Sequence, residues 1–138
     1  MRLFLDASVL LAACGSTAGA SHEIFRQARV HGWTLIATPY AIGEVVNNLM
    51  DFHPSATAQW ASLRADLLVL DDVLTLDRPA VFAAGKDRPI LFSALAWADV
   101  LLTRDTGDFR ELLGGSFYEL LVLTPGDFLQ RERQAGRL

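Results

Sequence analysis

Asp6, Glu44, Asp87 and Asp105 are far apart in this chain, yet each stands beside an apolar run. Residues 1–5 run straight into Asp6, and residues 99–104 lead into Asp105, with Asp108 close behind. Glu44 opens an apolar helical stretch after residues 34–39, and Asp87 sits just before Pro89-Ile90-Leu91-Phe92. In parallel α/β sheets, sites form beyond the carboxyl ends of the strands. If the apolar runs are such strands, these acids converge on one cleft. Clustered carboxylates with few nearby cations repel, and a hard divalent ion that takes oxygen ligands relieves the repulsion.

Each acid also has an ordinary explanation. Aspartate is common at helix N-caps and in turns. Asp6 suits the cap of a helix starting near Ser8, and Asp87 the cap of the helix containing Pro89. Asp105 and Asp108 bracket Thr106-Gly107, a turn composition. Glu44 shares a helical face with Asn47, Asn48 and Asp51, which reads equally as solvated surface. Asp99 precedes a strand and is structural, as are Asp71, Asp72 and Asp127. Asp87-Arg88-Pro89 is duplicated at Asp77-Arg78-Pro79. Asp87 is preferred because it leads into the stronger apolar helix.

The elements that must position these residues follow from the apolar pattern. Strands are expected at 2–5, 34–38, 67–70, 99–103 and 119–123, all short and without clean alternation, as in strands buried on both faces. Helical spacing marks Ile24, Phe25 and Ala28, then Ile42, Val45, Val46 and Leu49, then Ile90, Leu91, Ala94, Leu95 and Ala98. Thr38-Pro39 and Thr124-Pro125 each place a capping hydroxyl before a proline at the first helical position. Asp127, three residues after Thr124, comes close to a capping box. Strand–helix alternation implies a parallel sheet covered by helices. Residues 15–20 form a small-residue loop.

Bulk properties narrow the function classes. The 138 residues are the size of one ordinary domain. A hydrophobic fraction of 51% argues against disorder, and no apolar run approaches the roughly 18 residues of a membrane span. Asp6 breaks the N-terminal apolar stretch too early for a signal peptide. A cytoplasmic location is the natural expectation. Cys14 has no partner for a disulfide and reads as a small packed hydrophobe. The net charge of −4 opposes simple electrostatic adhesion to nucleic acid, though metal would neutralise several of the acids. His22, His31 and His53 show no metal spacing, and exposed or loop positions are expected for them. Trp33, Trp60 and Trp97 read as packing residues. Glycine-rich and phosphate-loop nucleotide motifs are absent.

Taken in order, the segments resemble the PIN domain, in particular the VapC-type bacterial ribonuclease toxins. They are Leu3-Phe4-Leu5-Asp6-Ala7-Ser8-Val9-Leu10, then residues 37–46 around Glu44, then Lys86-Asp87-Arg88-Pro89-Ile90-Leu91, then residues 98–109, and finally Val122-Leu123-Thr124-Pro125-Gly126-Asp127. The resemblance spans nearly the whole chain. It implies a single domain over 1–138, a three-layer α/β/α sandwich on a central parallel sheet. It also implies a metal-dependent endoribonuclease, the toxin of a toxin–antitoxin pair. Asp6, Glu44, Asp87 and Asp105 match the catalytic acids. Ser8, Thr103 and Asp108 match supporting positions, although the family often spaces its last two acids by one residue where Thr106-Gly107 stands here. Asp6, Asp87, Asp105 and Asp108 then form the metal set for Mg²⁺, with Mn²⁺ as substitute.

The resemblance further implies an RNA substrate, a homodimer and a cognate antitoxin, whose arginine an acidic cleft would accept. Two rivals remain: a non-catalytic PIN fold that binds RNA or protein, and a receiver-like phosphoacceptor. The receiver reading is disfavoured because the first strand supplies only Asp6 and no lysine follows Lys86. Repulsion among the acids leads to a further expectation. Asparagine at position 6 or 105 should leave the metal-free protein at least as stable as wild type.

Overall fold

A computed structural model of the chain describes residues 1–52, 54–80, 82 and 84–138. The strands are β1 (Arg2–Leu5), β2 (Thr34–Ala37), β3 (Leu68–Val69), β4 (Val100–Leu102), β5 (Ser116–Phe117) and β6 (Leu120–Leu123). The helices are α1 (Ala7–Gly15), α2 (Ala20–His31), α3 (Pro39–Leu49), α4 (Ser55–Arg64), α5 (Arg88–Trp97) and α6 (Pro125–Gln134). A 3₁₀ turn, Gly85–Asp87, precedes α5. One sheet runs in the order β3-β2-β1-β4-β6-β5, parallel except for the antiparallel β5 edge. Among the described residues no helix is long and apolar enough to cross a membrane.

The pleat explains why the strands read as continuous apolar runs. Leu3, Leu5, Leu35, Ala37, Val100 and Leu102 face a core built with α1, α2, α4 and α6. Phe4, Ile36, Leu101, Leu120 and Val122 face the opposite core with α5. Both faces are covered, so alternation in polarity has no reason to appear. The result is the α/β/α arrangement expected from the sequence, with the five expected strands each present and trimmed by a residue or two at most ends.

Two elements, α4 and β5, were not marked in the sequence, and α1 was marked only by Asp6 as its cap. In α1 five of nine residues are buried, so it has too little polar face for helical spacing to show. α4 buries only Ala56 and Leu63, which leaves a faint stripe. β5 is two residues long. Residues 15–20 close α1, form a short link and open α2. Thr38 is the N-cap residue of α3 but makes no capping bond through its hydroxyl, unlike Thr124, which accepts from the Asp127 N–H at 3.2 Å.

His22 and His31 lie within α2 and not in a loop. His22 contacts the Ala13 carbonyl at 3.0 Å, while His31 is exposed and stacks on Trp33. His53 lies outside the described residues. Cys14 is buried, and burial pushes its thiol up to about 11. Trp33 packs edge-on to Phe128, and the Trp97 indole donates to the Asp71 carbonyl at 2.8 Å.

β5 and β6 are joined through Tyr118 and Glu119, with φ of 48° and 72°. Both central residues of this hairpin turn therefore occupy the left-handed region that favours Asn and Gly. The Tyr118 hydroxyl donates to the Pro79 carbonyl and Arg78 lies 5.1 Å from the ring centre, contacts that hold the strained turn. Glu119→Gly is expected to stabilise the protein by about 0.5–1 kcal/mol, the left-handed penalty less the flexibility of glycine. A rise in the denaturation midpoint checks this, and a fall would show that the Glu119 side chain matters to the fold.

Candidate metal centre

Strand order reverses its direction of growth between β1 and β4, and this is where a crevice opens beyond the strand ends. Asp6 follows β1 and Thr103-Arg104-Asp105 follows β4. Asp6 is 5% exposed. Its Oδ1 accepts the Ser8 and Val9 N–H groups at 2.9 and 3.2 Å and so caps α1. The Ser8 hydroxyl donates to the same oxygen and the fully buried Thr103 hydroxyl to the other. Each hydroxyl in turn accepts a backbone N–H from the strand-end loop: Arg104 to Ser8 at 2.9 Å, Asp105 to Thr103 at 3.0 Å. The ordinary explanation of Asp6 therefore holds, and the same carboxylate also orients the loop that carries Asp105. Burial pushes the Asp6 carboxyl up, against the pull of these hydrogen bonds.

Asp87 behaves differently. It occupies the N-cap position of α5 but makes no capping bond. Its Oδ2 is buried with no hydrogen-bond partner among the described residues. Asp77, in the duplicate tripeptide, is exposed and faces only Arg78 at 3.8 Å. Asp105 Oδ1 accepts the Asp108 N–H at 2.9 Å, so Thr106-Gly107 forms a turn that brings both acids to the cleft. Phe109, 1% exposed and packed on Phe82, anchors that turn in the core. Carboxylate oxygens of Asp87, Asp105 and Asp108 lie within 4.8 Å of one another.

The electrostatics follow from this crowding. Burial raises the Asp87 carboxyl to about 7, assisted by a hydrogen bond shared with Asp108 and by the Asp108 and Asp105 charges. Asp108, on the exposed side, is held down by that same hydrogen bond and by Lys86, whose Nζ lies 3.3 Å away. The hydrogen bond between the two thus raises one carboxyl and lowers the other. Glu44 is raised by partial burial and by the charges of Asp6 and Asp105, with Lys86 opposing.

The structure gathers Asp6, Glu44, Asp87, Asp105 and Asp108 at one end of the sheet, with Ser8 and Thr103 behind them. Asp6 lies outside the compact group of three. Asp108, which the two-residue spacing had put in doubt, belongs to that group. Asp99 accepts the Arg2 N–H at 2.8 Å and Asp72 the Tyr40 N–H at 3.0 Å, both structural as expected. Lys86 and Tyr40 were not singled out as parts of the cleft. The Tyr40 hydroxyl donates to the Lys86 carbonyl at 2.6 Å, fixing the turn before Asp87. Nothing in sequence spacing marks that contact, which spans two elements.

An all-carboxylate donor set suits Mg²⁺ or Mn²⁺. The unpartnered Asp87 oxygen is an acceptor that a cation would satisfy.

Two predictions follow from this geometry. Because the Asp87 carboxyl is raised, the folded chain holds a proton that the unfolded chain releases between about pH 4 and about 7. Its contribution to stability falls as pH rises through that window. In chelator, thermal melts of wild type should drop across this range, and Asp87→Asn should flatten the drop. Identical pH profiles would show that Asp87 is not the raised group. For Asp6 the structure reverses the sequence-based expectation. Asparagine would turn one acceptor into a donor and leave the buried Thr103 hydroxyl hydrogen without an acceptor. Asp6→Asn and Asp6→Ala should therefore destabilise by about 1–2 kcal/mol, measured by chemical denaturation in chelator. Unchanged stability would show that the network is dispensable.

No protein-family model matches the chain, and no curated protein matches it. Solved structures do. A chain of VapBC2 from Rickettsia felis, bound to a DNA fragment from their promoter, superposes with a TM-score of 0.61 at 12% identity, covering 88% of this chain and 97% of that one. VapC20 from Mycobacterium tuberculosis, described as a Sarcin-Ricin loop cleaving toxin, aligns with a TM-score of 0.42 at 20% identity, covering 79% and 93%. The first likeness, together with the sheet order and layers described above, shows that this chain has the PIN fold of VapC-type proteins.

Proposed function

We propose that the chain is a metal-dependent endoribonuclease, the toxin half of a toxin–antitoxin pair acting in the cytoplasm. The observation that carries this reading is the three-carboxylate group at the switch point, with one buried oxygen lacking any donor. Asp87, Asp105 and Asp108 would hold Mg²⁺ or Mn²⁺. A bound ion supplies an activated water and neutralises charge on the phosphate and leaving oxygen. Asp6 positions Asp105 through the Thr103 hydroxyl, and Ser8 fixes Arg104 beside it. Glu44, half-buried and raised by burial and by the Asp6 and Asp105 charges, would serve as the proton acceptor in this reading. Lys86 neutralises Asp108 in the resting site and is available to an incoming phosphate. The Rickettsia felis structure is of a VapBC2 assembly, which supports an antitoxin partner. Exposed Val46 and Met50 on and beside α3 support a homodimer.

The non-catalytic reading is the rival that activity decides. The receiver-like reading loses ground because the one acid after β1, Asp6, is buried with hydrogen bonds to both oxygens. Purified protein should cleave RNA with Mg²⁺ or Mn²⁺ and stop with chelator. Asp105→Asn or Asp87→Asn should lower cleavage by about 10²-fold or more, the scale of losing one electrostatic stabiliser of the transition state. Chelator-resistant cleavage, or none with either metal, would refute the assignment.

A further inference from the structure

Of the 12 lysines and arginines in this chain, Lys86 is the only lysine. It stands next to Asp87 in the 3₁₀ turn before α5, with its side chain 75% exposed and its Nζ 3.3 Å from Asp108 Oδ2. Among the described residues no other cation forms an ion pair with Asp87, Asp105 or Asp108. The charges of Asp87 and Asp105 also act on this ammonium.

The two ends of Lys86 are held very differently. The Tyr40 hydroxyl donates to its carbonyl at 2.6 Å and fixes the root. The head has one exposed partner, and exposed ion pairs are weak. Lysine is a compact point charge on a flexible four-carbon stem, whereas arginine grips a carboxylate with a planar fork. A fixed root and a loosely held head make an arm that can leave one anion for another.

The ammonium also leaves the acidic group incomplete. Asp87 Oδ2 stays buried and without a hydrogen-bond partner among the described residues. Lys86 therefore covers the exposed edge, and the buried side still calls for a cation. A divalent ion sits about 2 Å from each carboxylate oxygen it takes. An ion held by Asp108 and an ammonium beside Asp108 are crowded like charges, and they repel.

We infer that Lys86 is a metal-released phosphate arm. Its ammonium rests on Asp108 in the metal-free chain, leaves when the three acids take a cation, and then binds a backbone phosphate of the RNA. The inference rests on the metal-dependent nuclease reading and adds to it a coupling between metal and substrate. It also answers the net charge of −4, because attraction for RNA appears once the acids are neutralised. By linkage, RNA strengthens metal binding in turn.

Because the chain has one lysine, ¹³C-labelled lysine gives a single ε-methylene resonance, read on the unaltered protein. Saturating Mg²⁺ should move it to the position it takes in metal-free Asp108→Asn, where the ion pair is gone. Lys86→Met should raise Mn²⁺ affinity, followed by the ion's paramagnetic resonance signal, about two- to fivefold, the range of an exposed ion pair. The same variant should bind labelled single-stranded RNA about tenfold more weakly than wild type in anisotropy with Ca²⁺ as the metal. Its slope of log affinity against log salt should be lower by about 0.7, one single-strand phosphate contact. In chelator the two proteins should bind RNA alike. A lysine resonance that stays in place at saturating Mg²⁺ would overturn the release and leave the nuclease reading intact. So would unchanged or weaker Mn²⁺ binding by Lys86→Met, or an RNA deficit of the same size with and without metal. Wild type that binds no Mn²⁺ and cleaves no RNA would overturn both readings.

Discussion

Both oxygens of the Asp6 carboxylate accept a hydroxyl hydrogen, and each hydroxyl accepts a backbone N–H from the loop after β4. A backbone N–H is fixed in direction by its strand, whereas a hydroxyl donates and accepts at once. Ser8 and Thr103 therefore work as adaptors between a buried carboxylate and a loop 97 residues away in sequence. They also join the two strands that flank the crevice. Burying a carboxylate is costly unless donors surround it. Here the donors come from β4 and α1, so folding of the acid, capping of α1 and placement of Asp105 are one event.

The acids around this anchor fall into two physical kinds. Asp6 and Asp99 have hydroxyl or backbone donors aimed at them. Asp87 has a buried oxygen with none, and it faces Asp105 and Asp108. Burial and the neighbouring acids raise the Asp87 carboxyl, while exposed Asp108 falls through its hydrogen bonds to Asp87 and Lys86. The fold maintains this unfavourable arrangement because the elements around it are determined elsewhere. Phe109 anchors the Asp105–Asp108 turn in the core and the Tyr40 hydroxyl holds the turn before Asp87. Repulsion among these carboxylates is what a bound cation would relieve.

The sequence by itself determined the order and type of most elements. Strands such as 2–5 and 100–102 lie under helices on both faces, so they appear as unbroken apolar runs. Thr124-Pro125 and Thr38-Pro39 marked two helix starts. The acids at strand ends were visible as candidates because Asp6 and Asp105 directly follow apolar runs. The weakly patterned elements α4 and β5 were not visible, one too exposed and the other too short to show a period, and α1, too buried to show one, was marked only by its cap Asp6. Tertiary structure alone decided what surrounds each acid. It placed Asp108 with Asp87 and Asp105, brought Lys86 to Asp108, and left Asp77, the duplicate of Asp87, exposed beside Arg78. An aspartate at an N-cap looks the same in sequence whether donors surround it or not. What distinguishes the cases is which hydrogens from distant strands point at its oxygens, and only the closed sheet sets that.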